Sequence, residues 1–279
     1  MAKKVTTREL GLILGVHLLK TSHLHYGLWT PELALRLANL PQAQEAYCRF
    51  LIDHIPAGVQ RVLDVGSGTG GLALALRDAG YAVECLSPSV ALNDFARERL
   101  GPGVPVHDTT FEDFRPDQPV ELVVFSESFQ YVKPAAALAR AYQALVPGGH
   151  VLICDFFSRD TPDRGPLGGG HKLSAVLPQI EPAGFRLVSD EDITDRLAPN
   201  LDLIDQIMQE QARPMWQALG TFMRTNYPRI AALGARLFRK KLDKLHGKYF
   251  SGERNGANFA KYKTYRLMLL QREDAGGAT

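Results

Sequence analysis

The stretch Arg61–Gly71, RVLDVGSGTGG, decides the fold. Val62, Leu63 and Val65 form a short apolar run of strand-forming residues. Gly66-Ser67-Gly68-Thr69-Gly70-Gly71 follows at once, and Leu72 to Arg77, LALALR, reads as helix. The order strand, glycine turn, helix predicts a turn whose backbone N–H groups approach a ligand closely, because no Cβ stands in the way. Small molecules bind at this end of a strand in open α/β sheets. Three ligands compete for the turn. In the dinucleotide pattern G-x-G-x-x-G the third glycine would come one residue early, at Gly70, with Gly71 in the sixth position. The P-loop ends in Gly-Lys-Ser/Thr, and no lysine is present. The third pattern, D-x-G-x-G-x-G, is met in full by Asp64 to Gly70.

That third pattern resembles motif I of class I S-adenosylmethionine-dependent methyltransferases. A second landmark, Leu145-Val146-Pro147-Gly148-Gly149 ahead of an apolar strand, resembles the same superfamily. The resemblance covers roughly residues 20–272. It implies an α/β fold: a seven-stranded Rossmann-like sheet with helices on both faces. It also implies S-adenosyl-L-methionine as cofactor, held by Asp64, Gly66, Ser67, Gly68 and Gly70, with S-adenosyl-L-homocysteine as product.

Composition sets the outer bounds. The chain has 279 residues, 45% of them hydrophobic and 22% charged, which suits a globular protein with a substantial core. A net charge of +2 gives no argument for nucleic acid. Cys48, Cys85 and Cys154 are scattered without metal spacing, as in a reducing cytoplasm. No run approaches the ~18 apolar residues of a membrane span, and no signal peptide is read at the start. A cytoplasmic monomer or homodimer is expected, with peripheral membrane contact left open.

The segments around the glycine turn carry the remaining site residues. Residues 1–55 are expected to form a helical extension, with helices at 7–20 and 32–55 and a turn-like HLHYGLW between them. His23 and His25 suggest no third metal ligand, so no metal site is expected. H-Y-G-x-W segments ahead of motif I resemble those of cyclopropane-fatty-acid-synthase-like, tocopherol and sarcosine/dimethylglycine methyltransferases. The resemblance implies Tyr26 near the cofactor and Trp29 near the substrate. A second strand, Ala82–Leu86, puts Cys85 where the superfamily's ribose-binding acid belongs, followed by Leu86 and Ser87. After a third strand, Val104–His107, Phe111-Glu112 resembles the Trp-Glu of the lipid-type group and implies an adenine contact. A fourth strand, Glu121–Phe125, ends in Ser126-Glu127-Ser128-Phe129-Gln130-Tyr131. That segment resembles the E-S-x-E-H of tocopherol- and sterol-type enzymes, with Gln130 and Tyr131 for Glu and His. Gln130 replaces a glutamate used in cyclopropanation, which argues against that reaction.

The methyltransferase core is expected at 56–191 and 261–272, with a helical lid at 192–260 and a disordered tail at 273–279. A helix is expected at His171–Glu181. The lid's apolar stripes read as ordinary packing, with Trp216, Phe222 and Tyr249 as candidates to face the substrate alongside His171, Gln130 and Tyr131. Candidates for proton transfer are Glu127, Tyr26 and His25. The expected activity is methyl transfer to a small-molecule or lipid-like metabolite. Two alternatives remain: a macromolecular methyltransferase, disfavoured because no N/D-P-P-Y/F motif follows the fourth strand, and a non-catalytic binding protein.

Overall fold

A computed structural model describes residues 23–163 and 165–273. The expected helix at 7–20 and residues 274–279 lie outside the described residues. The strands are β1 (Arg61–Val65), β2 (Ala82–Leu86), β3 (Val106–His107), β4 (Val120–Ser126), β5 (Leu145–Ser158), β6 (Phe185–Asp192) and β7 (Lys263–Arg272). They form one sheet in the order β3-β2-β1-β4-β5-β7-β6, with β7 antiparallel to both neighbours and β1 to β5 parallel. The seven strands and flanking helices are those implied by the resemblance.

Both faces of the sheet are covered, which is why β4 reads as an almost unbroken apolar run. Val62, Val83, Leu122, Val124 and Leu152 share a buried cluster with α1 (Leu40–Asp53), α2 (Gly71–Asp78) and α3 (Val90–Leu100). Leu63, Val65, Val123, Phe125 and Ile153 share another with α4 (Pro134–Ala144) and α5 (Leu173–Val176). Gly70 starts α2 with φ 77°, and a Cβ there would stand 3.2 Å from Ala96 of α3. Glycine at that position lets the two helices pack closely.

Several boundaries move. The helix expected at 32–55 starts only at Leu40, with Pro41 in its first turn, where the missing N–H costs nothing. The helix expected at 171–181 breaks into α5 and two 3-10 turns, each carrying a proline, Pro178 and Pro182. β5 begins at Leu145, so the Pro-Gly-Gly segment is part of the strand.

The insertion between β6 and β7 divides in two. α6 (Thr194–Leu197), α7 (Pro199–Ile207) and α10 (Gly256–Tyr262) pack on the sheet through Leu197, Leu201 and Phe259. A π-helical turn, Met208–Ala212, leads to α8 (Arg213–Asn226), and α9 (Pro228–Tyr249) folds back along it. The Arg213 guanidinium bonds the Phe250 carbonyl, so the two ends of this hairpin meet. Its apolar stripes were expected to be packed. Instead Met215, Leu219, Phe222, Ile230, Leu233 and Leu237 are all more than half exposed. Among the described residues no helix is long and apolar enough to cross a membrane.

Candidate functional site

β1 has β2 on one side and β4 on the other, so the strand order reverses at its carboxyl end. A cavity of about 520 Å³ opens there, the usual ligand position in such sheets. Asp64, Gly66, Ser67 and Gly68 line it from the glycine turn, Leu86 and Ser87 from the end of β2. Phe111 and Glu112 line it from the loop after β3; Ser126 and Glu127 line it from the tip of β4.

The turn is built for close approach. Gly66 has φ 78°, and a Cβ there would fall 2.5 Å from Ser128 Cβ. Ser128 is buried and donates its hydroxyl to the Val65 carbonyl at 2.5 Å, tying the β4 tip to the turn. Asp64 is buried, and its Oδ2 has no hydrogen-bond partner among the described residues. Burial raises its carboxyl to about 7. A buried acceptor left unpaired costs free energy unless a ligand supplies a donor. This orphaned oxygen beside a glycine cradle fits the polar end of S-adenosylmethionine.

Glu127 lines the cavity just beyond the end of β4. Its φ is 53°, and it is the sole non-glycine residue with positive φ among those described. Its N–H donates to the Cys154 carbonyl at 2.8 Å. Its Oε1 accepts two hydrogen bonds, from the Tyr26 N–H and the Tyr265 hydroxyl, each at 2.8 Å. Burial raises the carboxyl to about 7 despite these bonds.

The segment 23–29 forms a strap beside the cavity. Asn200 of α7 is buried and makes four hydrogen bonds at 2.7–3.0 Å: Oδ1 accepts from the Gly27 N–H and the Trp29 indole, and Nδ2 donates to the Gly27 and Leu197 carbonyls. The Leu28 N–H donates to the Ala43 carbonyl of α1. Gly27 is required for this contact, since a Cβ would lie 2.5 Å from that of Ala43.

Several expected site residues lie elsewhere. Cys85 faces the buried cluster with α2 and α3, in register with Asp64, so the side chain available at the end of β2 is Ser87. Gly70 serves helix packing, and Tyr26 leans on the core beside Glu127 instead of lining the cavity. Trp29 is buried against Asn200. Gln130 is held by Asp155, which accepts from its N–H at 2.9 Å and its Nε2 at 3.2 Å. His171 donates from Nε2 to the Val132 carbonyl at 2.9 Å. Trp216 and Phe222 stand exposed on the hairpin, and Tyr249 sits at its base under Lys248; none lines the cavity. Tyr131 does line it, at the exposed mouth. His25 lines it too, but both ring nitrogens are engaged: Nδ1 donates to the Tyr26 carbonyl at 2.8 Å, and Nε2 faces His23 and Cys48. A base whose lone-pair nitrogen is occupied by neighbouring side chains is a poor proton acceptor, and burial lowers the ring's pKa to about 3.

Ser128 and Asn200 were missed. Ser128 had a signal, since it completes Glu127-Ser128 in the strand-tip motif. Asn200 had none, because its strap partners Gly27 and Trp29 lie 173 and 171 residues away in the chain.

Comparison with known proteins agrees with this geometry. A family model described as a methyltransferase domain matches residues 32–206, more than half of the chain. Uncharacterized methyltransferases of Mycobacterium bovis and Mycobacterium tuberculosis are 33% identical over 97 residues. That match takes in 35% of this chain and only 40% of each relative. Among solved structures, a putative sarcosine dimethylglycine methyltransferase from Galdieria sulphuraria superposes with a TM-score of 0.67 at 16% identity, covering 94% of this chain and 98% of that one. The geranyl diphosphate C-methyltransferase of Streptomyces coelicolor, solved with Mg2+, geranyl diphosphate and S-adenosyl-L-homocysteine, gives 0.63 at 18% identity, covering 90% and 89%. With the sheet order, the glycine turn after β1 and the matched family model all in agreement, this chain belongs to the methyltransferase domain family of the class I S-adenosylmethionine-dependent superfamily.

Proposed function

We propose that the protein transfers a methyl group from S-adenosylmethionine to a small-molecule or lipid-like acceptor. The observation that carries this reading is the glycine turn, with the buried Asp64 and its unpartnered Oδ2 beside it, lining a cavity of about 520 Å³ at the switch point of the sheet. When bound, the sulfonium supplies the electrophile and its own leaving group, so the protein's part is positioning and exclusion of water. Asp64 receives a donor from the methionine end, and Ser87 meets the ribose in place of the usual acid. Phe111 and Glu112 flank the base: the ring is packed edge-on against Phe125, which sets its plane. Ser126 and Glu127 lie under the reacting end. Glu127 is held near neutrality by burial and takes a proton from an oxygen or carbon acceptor. Tyr26 positions Glu127 through its backbone N–H.

The acceptor enters past Tyr131. A lipid-like acceptor is supported by the exposed apolar side chains of the α8–α9 hairpin, which stand alongside seven Lys and Arg residues of α9. Such a face suits an anionic membrane surface. The test is a metabolite and lipid screen for release of S-adenosylhomocysteine, paired with calorimetric titration of the cofactor. Binding with turnover on a small acceptor supports the reading. No binding at ~1 mM, weak even for a metabolite site, would overturn it in favour of a non-catalytic protein. Turnover only on RNA or protein would favour the macromolecular alternative.

A further inference from the structure

His23, His25 and Cys48 bring three metal-ligand atoms together where the strap meets α1. His25 Nε2 lies 3.0 Å from His23 Nδ1. Cys48 Sγ lies 3.4 Å from His25 Nε2 and 3.7 Å from His23 Nδ1. A tetrahedral zinc ion with bonds of about 2.0–2.3 Å sets N···N near ~3.4 Å and N···S near ~3.6 Å. The observed triangle differs from this by only a few tenths of an ångström. We infer that His23, His25 and Cys48 form a three-ligand site for a borderline-soft divalent cation, zinc(II), that pins the strap to α1.

The surroundings are those of a ligand set. His25 Nδ1–H is committed to the Tyr26 carbonyl, so its Nε2 carries the lone pair. A second hydrogen bond of this kind fixes the tautomer of metal-bound histidines. The His25 ring is stacked on Tyr47 with centroids 4.4 Å apart. Gln44 of α1 donates to the carbonyls of both histidines, at 2.7 Å and 3.3 Å, and so sets the strap's course. Burial lowers His25 to about 3 and His23 to about 4, so both imidazoles are neutral at physiological pH. The Cys48 thiol is held up at about 12 by burial first and then by Asp64 and Glu45.

The step balances without a redox change. Zinc(II) forms one bond to sulfur and two to nitrogen; the S–H bond breaks, and one proton leaves to solvent. The thiolate and the nearby Asp64 together offset the ion's charge. Three protein ligands leave one position for water or another donor. The sequence reading missed this site because Cys48 lies 23 residues beyond His25 and meets it only when the strap folds back on α1.

The site borders the cofactor cavity, which His23 and His25 also line, but its test reads the metal alone. Tag-free full-length protein, stripped with a chelator, is titrated with cobalt(II) and then zinc(II). One equivalent should give tetrahedral d–d bands and a near-ultraviolet thiolate band, and zinc should abolish both while releasing about one proton. Cys48→Ser should lose the thiolate band. His23→Gln, at a partly buried position, should weaken zinc at least ~10-fold. Far-ultraviolet circular dichroism establishes that each variant is folded. Absence of a thiolate band in the wild type, an undiminished band in folded Cys48→Ser, or unchanged zinc affinity in His23→Gln would overturn the site.

Discussion

Glu127 is held in left-handed backbone conformation by its own N–H bond to β5 and by two donors on its carboxylate. Such a conformation costs about 1–3 kcal/mol and persists where the surroundings over-determine it. Glu127→Gln keeps an acceptor for both donors and removes the charge. Turnover should fall by about 10²-fold or more while cofactor affinity changes little, as steady-state kinetics and calorimetry would measure. The raised carboxyl adds a second signature. Its base form accumulates as pH rises through about 7, so kcat/KM should climb over that range and the Gln variant should lose the climb. Gly66→Ala places a methyl against Ser128 at positive φ; a loss of about 2 kcal/mol is expected in urea denaturation. The sequence made Asp64, Gly66 and Glu127 legible because each sits in a contiguous motif. It could not show that Cys85 turns into the core. A one-residue difference in strand register reverses a side chain's face, and pattern alignment alone does not measure register.

At the scale of elements, the strap depends on Asn200. Asn200→Ala strands three buried polar groups of Gly27 and Trp29. At about 1 kcal/mol or more for each group, the melting temperature should drop by several degrees and amide exchange across residues 25–29 should rise. Asn200→Asp retains both acceptor bonds but sets a carboxylate oxygen against the Gly27 and Leu197 carbonyls in a buried site, so it should not rescue the loss. The hairpin makes the opposite case. No residue of α8 or α9 lines the cavity, and its ends meet at Arg213 and Phe250. Replacing residues 214–249 with a short Gly/Ser linker should leave a folded protein with cofactor affinity within ~3-fold; a larger loss would show that the hairpin reaches the site in solution. Helical periodicity announced α8 and α9 correctly but not their exposure. An apolar stripe says that a face is suited to burial and does not name the partner that buries it.

For the whole molecule, three buried acids share one electrostatic tendency. Burial raises Asp64 from 3.8 to about 7, Glu127 from 4.5 to about 7 and Asp155 from 3.8 to about 8. The folded state therefore binds protons that the unfolded chain has released. The corresponding stability is fully present below the unfolded values and is lost as pH rises through about 7–8. Urea midpoints of the cofactor-free protein should fall between pH 5.5 and 8.5. Asp155→Asn should flatten part of that slope. The parallel core was legible from its strand–helix alternation, and so was β3, though it pairs over two residues and not the four expected; the break in the helix after His171 was not, because prolines and local pairing decide such short pieces.

The place of β7 has a consequence for synthesis. Its residues, 263–272, lie between β5 and β6, so those two strands share no backbone bonds until it arrives. On the ribosome, where chains emerge N-terminal end first, β6 waits with an open edge for about seventy residues of helix and loop, 193–262, to be made. β7, made only after β6 and the whole insertion, is thus a wedge that closes the sheet. A nascent chain halted before residue 263 should remain protease-sensitive across 185–192, while the β1–β4 half is already protected.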